Sequence, residues 1–76
     1  MAPNPTAMFI LGDIVHHNKS GNDYLILMTP DRLLIEATKE PAYVYRRFDG
    51  DDTRYWVRPQ SEMEDGRFTL VRRTPK

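Results

Sequence analysis

The sequence predicts a mainly β protein: a small, bent antiparallel sheet with one short helical turn before its last strand. Three observations carry that reading. The apolar and aromatic runs are short, below the length of a stable helix. They are separated by tight-turn signals at Gly12-Asp13, Gly21-Asn22, Pro30-Asp31 and Asp49-Gly50. Finally, Tyr55 to Phe68 packs the single tryptophan, a proline, a helix-start signature and a helix-stop glycine into fourteen residues.

Taken in order, Met1 to Thr6 has two prolines and no periodicity, and residues 1–8 are expected to be a flexible lead-in. Met8-Phe9-Ile10-Leu11 is an apolar run that reads as a first strand or a hydrophobic arm; if exposed, it is the leading docking surface. Gly12 to His17 enters a strand, Asn18 to Asn22 is a loop, and Asp23 to Thr29 returns as the hairpin partner. The return strand is apolar on both parities, so it is expected to be central and covered on both faces. Thr29 to Arg32 is a proline-set turn, and Leu33 to Thr38, ambiguous between helix and strand, is read as strand.

Ala42 to Phe48 is a strand with Val44, Arg46 and Phe48 on one face and Tyr43, Tyr45 and Arg47 on the other. Asp49-Gly50 marks a hairpin to Thr53–Arg58, where Tyr55 and Val57 oppose Trp56, Arg54 and Arg58. Pro59 should end that strand, because it has no N–H to give to a ladder. Ser61-Glu62-Met63-Glu64 has capping-box spacing, and Gly66 suits the left-handed position that stops a helical turn. Arg67 to Val71 is the last strand, with residues 72–76 a polar tail and residues 9–71 a single domain. The architecture that fits is an SH3-like partly open barrel.

Seventy-six residues give one thin core, hiding roughly 60–65% of the surface the unfolded chain exposes. No cysteine is present, which excludes disulfides and thiolate zinc sites. No apolar run approaches the roughly 18–20 residues of a membrane span, and the opening residues lack the basic segment of a secretory signal. The expectation is a cytoplasmic protein. Eleven basic residues balance eleven acidic ones, which disfavours a dedicated phosphate-backbone binder. Eight of the basic residues are arginine, suited to interfaces and forked partners.

Candidate chemistry is sparse. His16 and His17 are strand neighbours pointing to opposite faces, so they do not make a metal pair. Asp49, Asp51 and Asp52 lack the length and distal glutamate of a calcium loop. No serine or threonine has a base at recognisable spacing, and the four glycines form no phosphate loop. No catalytic residue, metal or cofactor is expected. The tyrosines and Trp56, interleaved with arginines, suit either a protein interface or stacked single-stranded nucleic acid. Trp56 itself is assigned to packing.

Gly12-Asp13-x-Val15, Gly21 to Leu27, Val44-Tyr45 and Trp56-Val57-Arg58-Pro59 with Glu62-Met63 resemble a small bacterial and phage domain of unknown function. Its members carry a His-x-Lys-Gly-x-x-Tyr opening, a Val-Tyr strand and a Trp-x-Arg-Pro ending. The likeness runs from Gly12 to Phe68, departing at Ser20 and in the long Thr29 to Pro41 middle. It implies a small SH3-like β domain without established catalytic residues. Size and style are also similar to very small phage-encoded regulators that bind bacterial RNA polymerase, which implies that the N-terminal segment and one sheet face grip the polymerase. The resulting expectation is a non-enzymatic protein-interaction module, a regulator of transcription, contacting its partner through Phe9, Ile10, Leu11, Tyr43, Arg47, Arg54 and Arg58. Single-stranded RNA or DNA is the second partner class.

Overall fold

The computed structural model describes residues 7–73; the expected flexibility of Met1 to Thr6 and the end of the polar tail lie outside them. Five strands form one antiparallel sheet: β1 (Ile14–His17), β2 (Asn22–Met28), β3 (Ala42–Arg47), β4 (Tyr55–Pro59) and β5 (Phe68–Arg72), with helix α1 (Gln60–Met63) between the last two. The spatial order is β4-β3-β2-β1-β5, so the first strand pairs with both the second and the last. The sheet is bent but not closed, because β4 and β5 are its two edges. Its curl still brings their side chains together: the Arg58 guanidinium of β4 lies 5.5 Å from the Phe68 ring of β5.

Period-two alternation sorts the side chains. Val15, Ile26, Tyr43, Tyr45 and Phe68 come from the concave face and make the core with Phe9 and Met63. The face assignment within β3 follows from this, since Tyr43 and Tyr45 are buried while Val44 and Arg46 are half-buried on the convex side. Met63 of α1 is fully buried and plugs the core, which explains why a single helical turn persists although four residues cannot hold a helix unaided. Gly66, at φ 103°, then turns the chain back into β5.

Several expectations need correction. Residues 8–11 are an irregular arm rather than a strand, and Phe9 enters the core instead of docking outside. Leu33 to Thr38 is not a strand: only Leu34 bridges to Pro41, and a turn is closed by the Lys39 N–H on the Ile35 carbonyl. Pro41 withholds a ladder donor there and Lys39 sits at φ 63°, so neither strand nor helix can propagate. β2 is central, but its convex-side Leu25 and Leu27 are only half-buried, because no second layer among the described residues covers that face. β4 does end at Pro59, as expected, and Pro59 pairs opposite Ala42 as the last residue of an edge strand.

The capping box is not made: α1 starts at Gln60 and has no side-chain cap. Glu64 faces inward instead, and its Oε2 accepts from the Tyr43 hydroxyl (2.6 Å), the Met8 N–H (2.9 Å) and Gln60 Nε2 (3.1 Å). Burial first and the Glu64 bond second drive the Tyr43 hydroxyl pKa far above its usual value. The expected tail also begins too early, since Arg72 belongs to β5 and Arg73 grips Asp13. Asp13 is completely buried, accepts from the Ile10 N–H (2.8 Å), and meets Arg73 at 2.8 Å; Arg73 reaches on to the Met8 carbonyl at 3.1 Å. No helix among the described residues is long and apolar enough to cross a membrane.

Candidate binding cleft and edge strand

The unclosed seam between β4 and β5 is a cleft with two parts. Its inner part, about 130 Å³, is lined by His17, Tyr24, Tyr45, Trp56, Arg58 and Phe68. The rings there pack edge to face: Tyr24 lies 5.1 Å from Tyr45, and Tyr45 lies 5.7 Å from Phe68. The outer part, about 540 Å³, shares His17 and Arg58 and adds Asn18, Lys19 and Arg67. An aromatic interior therefore opens into a cationic mouth.

The order of the strands builds this site. His17 ends β1 opposite Phe68, its ring 4.8 Å away, a neighbour created only by the β1–β5 pairing. Trp56 lies opposite Tyr45, and Arg58 opposite Tyr43, on the same concave parity. Arg58 donates from Nε to the Tyr45 hydroxyl at 3.1 Å and lies 3.5 Å from Glu62, one helical turn on. Arg67 meets the same Glu62 at 3.2 Å and Asp65 at 3.1 Å. Lys19, in the β1–β2 turn, is in no ion pair among the described residues. Burial first, then the charges of Arg58, Lys19 and Arg67, hold His17 below the usual histidine pKa, so it enters the cleft neutral near pH 7. Its Nδ1 is 2.7 Å from the Ser20 hydroxyl.

The seven residues expected at the partner surface do not form one patch. Phe9 and Tyr43 are core residues, 1% and 0% exposed, joined by a 3.1 Å bond from the Phe9 N–H to the Tyr43 hydroxyl. Contrary to the expectation of a partner surface, their roles are structural: a domain this small must recruit its large rings into the interior. Ile10 and Leu11 are exposed on the arm. Arg47 points along the concave face at the end of β3, its Nε buried without a partner among the described residues. Arg54 holds Asp52 through two parallel bonds, 3.0 and 2.9 Å, which pull the Asp52 carboxyl down to about 2, and its guanidinium covers Trp56 at 4.8 Å. Arg58 stands in the cleft wall.

Sequence reasoning missed His17, Lys19, Trp56 and Arg67. The signal for Trp56 was present, because it shares the parity of Arg54 and Arg58, but packing claimed it; the ring remains partly exposed as a cleft wall. Sequence reasoning also passed over the edge. Tyr55, Trp56 and Val57 are 70%, 38% and 56% exposed on three consecutive residues of β4, a strand that among the described residues is hydrogen-bonded on one side only. His16, for its part, contacts Asp23 at 2.7 Å on the opposite face of β1 from His17. Among the described residues no three potential metal ligands gather. In comparison with known proteins, no family model, no curated protein and no solved structure matches this chain, so the site is read from its own geometry.

Proposed function

We propose that the protein is a non-enzymatic protein-interaction module whose partner docks along the β4 edge. One observation carries the reading: Tyr55-Trp56-Val57 presents three large side chains, on both faces, beside an unpaired strand edge. Natural sheets normally blunt such an edge with lysine, proline or a bulge. Here Pro59 and the flanking arginines stand only at its ends. A partner segment that adds a strand would satisfy the free backbone groups and cover the rings. The arginine pattern favours protein over nucleic acid, since Arg47, Arg54, Arg58, Arg67 and Arg73 each face a carboxylate within 4 Å. Five of the eight arginines are thus engaged within the chain, which leaves fewer to track a phosphate backbone.

The partner class implied by the chain's size and style is bacterial RNA polymerase, and the activity is modulation of transcription through that contact; the SH3-like description belongs to the same reading. The test is affinity purification from bacterial lysate treated with nuclease, using the protein and its Tyr55→Lys/Val57→Lys variant, with folding of both checked by thermal melting. Polymerase subunits should be retained by the unaltered protein and lost by the folded variant. Identical protein sets from both, or capture that vanishes with nuclease, would overturn the reading.

A further inference from the structure

The seam between β4 and β5 has a composition that the edge-strand contact leaves unused. Its inner part is the size of a single ring: an apolar cavity of about 150 Å³ holds benzene, and this one measures about 130 Å³. Its walls are not aliphatic. Tyr24, Tyr45 and Phe68 are mutually edge-on, and Trp56 stands partly exposed on one side. Such rings offer a planar guest both faces and edges. The outer part is lined by Lys19, Arg58 and Arg67, with Glu62 and Asp65 offsetting the two arginines. About one positive charge is left over, on Lys19. The two parts share His17 and Arg58 in their walls, which sets the aromatic part directly beside the cationic one.

We infer that this cleft is a binding site for a single planar aromatic ring bearing one anionic group, the ring seated among Tyr24, Tyr45, Trp56 and Phe68 and the anion facing Lys19 and Arg58. The inner volume matches one ring, and the residual single charge disfavours a polyanion. The chemistry is shared by a pyrimidine nucleotide and by a small aromatic acid. The site shares Trp56 with the β4 edge, but its other walls, Tyr24, Tyr45 and Phe68, lie on β2, β3 and β5, so its occupancy is tested on the protein alone, without the partner proposed above.

Trp56 is the only tryptophan and lines the cleft, so its fluorescence responds to a guest seated there. The intact protein is titrated at constant ionic strength with phenyl phosphate, with inorganic phosphate as the anion alone and benzyl alcohol as the ring alone. Phenyl phosphate should give a saturable change with Kd on the order of 1 mM or tighter, and neither half should match it. Lys19→Gln should weaken phenyl phosphate about three- to tenfold, whereas Lys39→Gln, a lysine outside the cleft, should not. Both positions are exposed, so both variants keep the fold. Uridine monophosphate and phenylacetate as further arms distinguish the two sources by which binds more tightly. The proposal falls if phenyl phosphate produces no saturable response, if phosphate alone reproduces it as an adventitious ion only, or if the two lysine variants behave alike.

Discussion

Phe9 decides how the N-terminal arm is understood. Its ring meets Tyr43 at 5.8 Å, edge to face, inside the core, while Leu11 two residues on is exposed. Phe9→Ala should therefore cost about 3–5 kcal/mol, whereas Leu11→Ala should stay within about 0.5 kcal/mol; urea unfolding measures both. A surface role for Phe9 predicts the reverse, normal stability with lost binding. His17 gives a second residue-scale test. Arg58 from β4, Arg67 from the segment before β5, and Lys19 and His16 from its own hairpin all oppose its protonation, after burial. The unfolded chain therefore takes up a proton that the folded one resists. Stability contributed by neutral His17 is full above the unfolded pKa of about 6.5 and declines as pH falls from there towards the folded value. Urea midpoints at several pH values should show that decline in the unaltered protein and a shallower one in His17→Gln.

At the scale of the element, α1 shows how a local signature yields to a tertiary demand. Ser61 and Glu64 have capping spacing, yet Glu64 turns inward to serve Tyr43, Met8 and Gln60, and Met63 locks the turn. Ser61→Ala should consequently be almost silent, within about 0.5 kcal/mol, where a working cap costs about 1 kcal/mol. Glu64→Ala should be the damaging change, because it strips the buried Tyr43 hydroxyl of its acceptor. Thermal melting of the pair settles the order. Gly66 does not stop α1, which is capped at Glu64, but two residues on it takes a positive φ of 103°, where a side chain is strained even though open space surrounds it, so Gly66→Ala should cost about 1 kcal/mol or more. Strand parity in β3 was legible because Tyr43 and Tyr45 alternate with Val44 and Arg46. The middle segment was not, since Leu33 to Ile35 is apolar enough for a strand and only tertiary context leaves it without a partner.

For the whole molecule, the antiparallel, bent sheet was readable from turn chemistry and short runs, but the cleft was not. It needs His17 beside Phe68 and Arg58 across from both, contacts fixed by strand order and by curl rather than by spacing. The same distance in sequence hid Asp13 and Arg73 from each other, sixty residues apart and joined at 2.8 Å. That ion pair bears on how the protein is made. β1 is flanked by β2 on one side and β5 on the other, so a growing chain can form the central hairpin early yet leave β1 half-paired and Asp13 without its arginine until residues 68–73 emerge. A buried carboxylate without its partner is strongly disfavoured. The fold should therefore complete only after synthesis has passed Arg73, and ribosome-bound chains ending before β5 should remain sensitive to protease while the released protein resists it.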